Sequence, residues 1–357
     1  MQKKIIAIAV AAALAAPVAA MADASVYGQV NLSYDRVTDG ANGKGTANEM
    51  NSNTSRLGVK ASEDLGNGMS VVAQAEGTLA ADNGGMGGKA TAGSVNQIFD
   101  RNTYLGLSSN DMGTLILGQY DTPYKISTRK LDLFADGIAD NRGSAALGTS
   151  KMLMGMGHDT TLSNMLAYVS PAFNGVTIAA ATVFGAEAYN STMADKGSAT
   201  SLAAMYTMDN IYATVAYQTV KAGSAGTGDL AAGAFGTVAS GDKNTAMKVG
   251  VGFSQDQITV NAIVEQTKLA LVAGDTKHTN IYLGGKFAVS STDAAKLAYT
   301  KIGDSSGNKD GGTQISLGYD HSMSKMTTVY ALYTKVSPSA SGATSPNAIS
   351  VGVRHSF

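Results

Sequence analysis

The chain has 357 residues and a formal charge of −1, from 26 basic and 27 acidic side chains, so no basic excess suggests nucleic acid as a partner. Cysteine is absent, which excludes disulfides and thiolate metal sites. The 42 glycines, 15 tyrosines, 5 prolines and absence of tryptophan are odd for a helical enzyme. They fit a sheet wall with one polar and one apolar face better.

Residues 1–22 carry Lys3 and Lys4, an apolar run from Ile5 to Ala16, Pro17, and small residues at Ala20 and Ala22. That is the pattern of a cleavable signal peptide, cut after Ala22 with Ala24 as the other option. The mature chain, 23–357, then has 24 basic against 27 acidic side chains, and no second domain or linker is visible in it. No later stretch is long and apolar enough for a transmembrane helix. An exported membrane protein without such a run must satisfy its backbone polar groups in a closed sheet, because lipid offers them no partners.

Alternating segments follow in order. In Val26-Tyr27-Gly28-Gln29-Val30-Asn31-Leu32-Ser33-Tyr34, Gln29, Asn31 and Ser33 oppose a face of apolar residues and Gly; 257–262 and 314–320 repeat the pattern. Sixteen strands are expected, near 25–37, 53–63, 69–80, 97–109, 113–121, 161–170, 176–186, 200–208, 211–220, 244–254, 257–267, 278–289, 294–302, 313–321, 326–336 and 347–357; fourteen or eighteen remain open. Short connections at 64–68, 110–113, 172–175, 209–210 and 322–325 alternate with long ones at 38–52, 80–96, 122–160, 187–200, 221–243 and 337–346. Short turns on one rim and long loops on the other are the bacterial outer-membrane arrangement. In the last strand Ile349, Val351, Val353, His355 and Phe357 share one face, and Ser350, Gly352, Arg354 and Ser356 the other.

The connection 122–160 is the longest, too long for an idle turn in a compact wall. Within it, 129–140 has amphipathic helical spacing. Leu131, Phe134, Ala135 and Ile138 share one face and Asp132, Asp136 and Asp140 the other, while Leu133 spoils the polar side. The expectation is an apolar face docked on the inner wall with the three carboxylates in the lumen. Opposite charge is expected from Ser55-Arg56-Leu57-Gly58-Val59-Lys60, where Arg56 and Lys60 face away from Leu57 and Val59.

Five segments resemble the general diffusion porins of Gram-negative bacteria, especially the neisserial and betaproteobacterial branch: SVYGQVNLSYD from Ser25, SRLGVKASEDLGNGMSVVAQAEG from Ser55, FDRNTYLGLSSNDMGTLILGQYDTPYK from Phe99, SNMLAYVSPAFNGV from Ser163, and the terminal VGVRHSF. The resemblance spans the mature chain. It implies an all-β, 16-stranded antiparallel transmembrane barrel with an inward-folded third loop, assembled as a homotrimer in the outer membrane. Arg56, Lys60 and Arg101 would form the basic side of a pore constriction and Asp132, Asp136 and Asp140 the acidic side. Alternation alone puts Arg101 with Leu105 and Leu107. Phe357 would belong to the signal read by the barrel-assembly machinery. Two departures stand out: Thr161 where the family often has Arg, and Gly118-Gln119 where it has Gly-Arg. The first puts strong anion preference in doubt; alternation assigns Gln119 to the outer or intersubunit face.

Other chemistries are weaker. His158, His278, His321 and His355 have no patterned acid or nucleophile beside them and read as isolated surface or interface residues, so no catalytic residues are assigned. Asp132, Asp136, Gly137 and Asp140 lack calcium-loop spacing, and no metal site or cofactor is expected. Gly250 and Gly252 read as glycines that ease barrel curvature. A sugar-specific channel would want an aromatic ladder, and only Tyr27 and Tyr212 are scattered inward candidates. The expected function is passive diffusion of ions and small hydrophilic solutes. A substrate-selective channel, or a chiefly structural or adhesive barrel, is the alternative. The partners are outer-membrane lipid, other copies of the chain and the assembly machinery during export.

Overall fold

The computed structural model describes residues 23–39, 45–87, 98–142, 158–184, 197–221, 243–270 and 274–357. The expected leader, 1–22, lies outside these residues, as does most of the Gly-rich loop stretches 84–93 and 222–241.

Sixteen strands form one antiparallel sheet: β1 Asp23–Thr38, β2 in two halves (Thr46–Ser52 and Arg56–Gly66), β3 Met69–Ala80, β4 Thr103–Ser109, β5 Gly113–Asp121, β6 Thr161–Val169, β7 Val176–Val183, β8 Ser198–Met208, β9 Ile211–Lys221, β10 Lys243–Gln255, β11 Ile258–Leu269, β12 Thr276–Ala288, β13 Asp293–Ile302, β14 Gly312–Ser322, β15 Thr327–Pro338 and β16 Asn347–Ser356. Each pairs with its sequence neighbours. The last strand returns to the first, from Gln29 opposite Ser356 to Thr38 opposite Asn347, and closes the cylinder. Closure leaves no unpaired edge, which is the condition for a sheet to stand in lipid.

The expected strand 53–63 begins earlier. Thr46–Ser52 continues it on the far side of a break at Asn53–Ser55, so the connection expected at 38–52 shrinks to 39–45. Thr54 has φ of 54° at this break, and Asn31 on β1 bridges it: its N–H donates to Ser55 Oγ (2.9 Å) and its carbonyl accepts from the Asn53 N–H (2.8 Å). The expected strand 97–109 starts only at Thr103. A two-residue pairing, Gly85–Met86 against Leu79 and Ala80, sits in the connection between β3 and β4.

Alternation holds along the wall. On β10, Met247, Val249 and Val251 are exposed while Ala246 and Lys248 are buried; on β16, Ile349, Val351 and Val353 are exposed while Ala348 and Ser350 are buried. The exposed face is thus an apolar band, and the opposite face carries the polar side chains. The principal buried cluster joins Leu131, Phe134 and Ile138 of the connection after β5 to Tyr212, Ile263, Tyr282, Ala298, Leu332 and Ala348 of the wall.

Candidate functional site: the connection after β5 and the wall it meets

Thr122 caps a short helix, α1 (Pro123–Arg129), its hydroxyl accepting the Lys125 N–H at 3.2 Å, with Pro123 at the first helical position. The helix stops there. Over 129–140 the amphipathic spacing is realised as turns rather than as regular helix, because local side-chain acceptors compete for the backbone. Asp132 Oδ1 takes the Phe134 N–H (2.9 Å), Asp132 Oδ2 the Asn141 N–H (3.0 Å) and Asp140 Oδ2 the Asp136 N–H (3.0 Å), while Asp136 sits at φ of 61°.

The apolar side chains of this turn-rich segment still dock as their spacing suggested, and the wall is shaped for them. A Cβ on Gly250 or Gly252 would lie 2.5 or 2.8 Å from the Leu131 methyl carbons, one on Gly318 2.7 Å from the Phe134 ring, and one on Gly284 3.1 Å from Leu133 Cδ1. These glycines make room for the segment, a role beyond the curvature expected of Gly250 and Gly252. Leu133, expected to spoil the polar side, is docked as well. Polar bonds fix the same contact: Asn261 Nδ2 donates to the Leu131 carbonyl (2.8 Å), the Leu133 N–H to Tyr282 Oη (2.9 Å), Lys296 Nζ to the Leu133 carbonyl (3.1 Å) and Tyr212 Oη to the Ser127 carbonyl (2.5 Å).

At the other side the segment reaches β1 and β2. Asn31 Nδ2 donates to the Asp136 carbonyl at 2.6 Å, and Arg56 Nη1 lies 3.1 Å from Asp136 Oδ2. Arg56 follows directly on the Asn53–Ser55 break, the kind of irregularity that re-aims a side chain. The segment therefore contacts β9 to β14 at one side and β1 and β2 at the other, in each case on the face opposite the exposed apolar residues.

The three carboxylates gather on one guanidinium. Arg129 lies 2.6 Å from Asp136, 3.0 Å from Asp140 and 3.6 Å from Asp132; Arg142 adds a 3.1 Å pair to Asp140. Asp132 and Asp140 are buried, so only Asp136 presents its carboxylate to the wall arginine. Burial opposes the charge on Asp136, but Arg129 and Arg56 overcome it and hold the carboxyl below its ordinary value. Asp140 is likewise held well below, against its burial, by Arg129 and Arg142. Asp132 moves the other way, pushed up to about 7 by burial and then by the charge of Asp140.

Lys60 stands apart from this cluster, its Nζ 4.3 Å from the centre of the Tyr27 ring. Arg101 precedes the regular part of β4, so the alternation that paired it with Leu105 and Leu107 does not govern it. Its Nε lies 2.5 Å from Glu76 Oε1, and Tyr27 Oη donates to Glu76 Oε2 at 2.8 Å. Glu76 is the partner that sequence reasoning missed. Its place opposite Gly58, between the Arg56–Thr78 and Lys60–Gln74 pairs, carries the only sequence signal. Gln119, at a register shift beside Gly118 (φ 138°), donates to the Arg101 carbonyl (2.6 Å) and accepts from Ser163 Oγ (2.9 Å).

A second missed group anchors the root of the segment. Tyr124 Oη donates to Glu265 (2.6 Å), Asn280 donates to the same carboxylate (2.8 Å), and Lys248 pairs with Asp159 (3.0 Å) while lying 4.0 Å from the centre of the Tyr124 ring. His158 belongs here, fully buried, its carbonyl taking Gln218 Nε2 at 2.8 Å. Burial and the Lys248 charge push its imidazole down to about 3. The surface reading of His158 is thereby corrected, and that of His278, also buried, with it.

A closed antiparallel barrel with an apolar outer band and polar side chains on the opposite face defines a membrane-spanning channel. Comparison with known proteins agrees. A model of the Gram-negative porin family matches residues 7–341, and the chain belongs to that family. Outer membrane porin protein 32 of Delftia acidovorans is 29% identical over 342 residues, covering 89% of this chain and 85% of that protein. Among solved structures, an anion-selective porin from Comamonas acidovorans superimposes with a TM-score of 0.75 at 22% identity, covering 94% of this chain and all of that one. The trimer form of OmpT of Vibrio cholerae gives 0.64 at 16% identity, covering 94% and 99%. The protein is an outer-membrane channel for passive diffusion of small solutes, and its family and fold are those of non-enzymatic channels.

Proposed function

We propose that the connection after β5 folds into the lumen and narrows it, so that permeation is set where Asp136 faces Arg56. The observation that supports this most is the reach of one segment, from Gly250 and Gly252 on β10 to Arg56 on β2. Three arginines (Arg56, Arg129, Arg142) stand against three aspartates (Asp132, Asp136, Asp140), and burial together with the Asp140 charge pushes the Asp132 carboxyl up, toward its neutral form. Lys60, without an ion pair among the described residues, adds a positive charge on the same face of β2. The resulting field favours anions mildly. Arg101 contributes little to it because Glu76 neutralises it.

Opposed charges across a low-dielectric channel orient dipolar solutes and disfavour apolar ones, which cannot replace the ordered water they displace. The proposed filter therefore acts by size and polarity, without catalysis, cofactor or tight binding. The mature chain, freed of 1–22, assembles as a homotrimer in outer-membrane lipid, and Phe357 serves as its recognition end for the barrel-assembly machinery. Reversal potentials in a salt gradient test the charge assignment: a mild anion preference is expected, and a cation preference would refute it.

A further inference from the structure

We propose that the barrel holds a subsite for small aromatic monocarboxylates of the benzoate type, between the docked segment after β5 and the rim of short turns. The proposal rests on reading the inner face of the barrel as the permeation path. A cavity of about 440 Å³ opens there, lined by Lys130, Leu131 and Leu133 of the segment and by Tyr212, Asn261 and Lys286 of the wall, a volume ordinary for a small-molecule site. The pairing register lays out its floor. One row crosses β8 to β12 as Thr207, Tyr212, Gly252, Asn261 and Gly284. The row beside it, nearer the short turns 209–210 and 256–257, crosses β10 to β13 as Ser254, Thr259, Lys286 and Lys296. Short turns face the periplasm, so the cavity lies at the periplasmic end. Its rows are on the face opposite the exposed Phe253, Val260 and Leu283. The first row seats Leu131 against Gly252 and Leu133 against Gly284.

The second row supplies the carboxylate's partner. Lys286 stands directly opposite Lys296. Lys296 is engaged, its Nζ 2.8 Å from Asp320 and donating to the Leu133 carbonyl at 3.1 Å. Lys286 makes no ion pair among the described residues. Like charges in directly opposed positions repel, and an anion on Lys286 relieves that repulsion. The Asn261 amide already donates to the Leu131 carbonyl and the Ser254 hydroxyl to Thr259, so Lys286 is the charged donor left open on this row. Across the cavity, Lys130 Nζ lies 3.4 Å from the centre of the Tyr212 ring and 3.4 Å from Thr207 Oγ1, and makes no ion pair among the described residues. A solute ring on the open side of that ammonium is a second cation–π partner. Three strand spacings, roughly 14 Å along the wall, separate Tyr212 from Lys286. A carboxylate on Lys286 with its ring turned over Leu133 toward Lys130 fills that interval. An aliphatic acid leaves Lys130 without a ring, and a neutral arene leaves Lys286 without an anion. Asp209 is the carboxylate that lines the cavity; two lysines less one aspartate leave one positive charge, which a monoanion matches.

The test is fluorine NMR of 4-fluorobenzoate titrated onto the refolded barrel in detergent, with unlabelled competitors. Saturable, millimolar binding is expected, and acetate and benzyl alcohol should compete at least about tenfold more weakly than benzoate. Lys286→Gln should weaken benzoate by about fivefold or more, while Lys286→Arg holds it within about twofold. Lys130→Gln should weaken benzoate by about threefold and leave cyclohexanecarboxylate within about twofold. If Lys286→Gln does not fold, Lys130→Gln, on an exposed residue of the connection, carries the test. Acetate equal to benzoate would mean bulk attraction of anions, and benzyl alcohol equal to it would mean apolar partition; either overturns the proposal. So would succinate competing better than benzoate, phenylalanine competing better than 3-phenylpropionate through Asp209, or unchanged binding in both glutamine variants. Binding is read here without current. Its absence would therefore leave the Arg56–Asp136 constriction standing, and failure of the reversal-potential test would leave the binding result standing.

Discussion

Arg56 and Asp136, 80 positions apart in sequence, meet at 3.1 Å between Nη1 and Oδ2. Asp136 is shared: its other oxygen binds Arg129 at 2.6 Å. Removing Arg56 therefore leaves Asp136 charged and in place but no longer balanced from the wall.

Arg56→Ala combined with Lys60→Ala is expected to shift the anion-to-cation permeability ratio toward cations by about twofold or more, since fixed charges act strongly across a narrow low-dielectric pore. Reversal potential under a salt gradient is the readout. An unmoved potential would take both residues off the pore wall.

The contact of Leu131 with Gly252 gives a test of the docked segment. A Cβ at position 252 would sit 2.8 Å from Leu131 Cδ2, so Gly252→Val overpacks the contact at a cost of about 1–3 kcal/mol. Channel noise or a raised conductance should report the displaced segment. Adding Leu131→Ala should quiet the channel in part, since Asn261 Oδ1 lies equally near that Cβ, at 2.8 Å; no quieting at all would separate the two residues.

Phe357 completes barrel closure. Its N–H and C=O exchange hydrogen bonds with Gly28 at 3.1 and 3.0 Å, and its ring lies where a Gly28 side chain would be, 2.5 Å from an added Cβ. Deleting Phe357 should lower the assembled, heat-modifiable barrel in the outer membrane while secretion to the periplasm continues. Gly28→Leu should do the same with the terminus intact. Normal assembly of both variants would remove the role given to this end.

Acid should loosen the arginine cluster in a defined direction. Asp136 and Asp140 have lowered folded pKa values, so their stabilisation is complete above the ordinary carboxylate pKa, about 3.9, and is lost as pH falls through the lowered values. Asp132 has the opposite sign: raised to about 7, it costs stability as pH rises from the ordinary value toward 7. Segment docking, read as open-channel noise, should thus be firmest near pH 4–5, as an approximate window, and weaken steeply below it. Asp140→Asn should blunt the acid limb. An acid limb of equal steepness in that variant would assign the transition elsewhere.

The barrel was legible because period 2 and the alternation of short and long connections report the membrane directly, down to the outward placement of His355 and Phe357. The break at Asn53–Ser55 was not, since it depends on Asn31 from another strand. The apolar residues of the segment after β5 and its turns were legible from spacing, but spacing cannot show that Asp132 and Asp140 take the backbone donors a regular helix would need. Wall glycines looked like curvature devices for the same reason: the side chains filling their space come from more than a hundred residues away. Arg101 and Glu76 escaped alternation because Arg101 lies outside regular strand.

The most direct test is single-channel conductance of the refolded protein beside a variant in which 131–142 is replaced by a short Gly-Ser link, both in planar bilayers under a salt gradient. The wild type should open in three equal steps with linear current and mild anion preference. The variant should conduct about twofold or more per channel, with weaker selectivity, as the narrowest section is lost. Equal conductance from a variant shown to be folded and inserted would mean that this segment does not set the width of the pore.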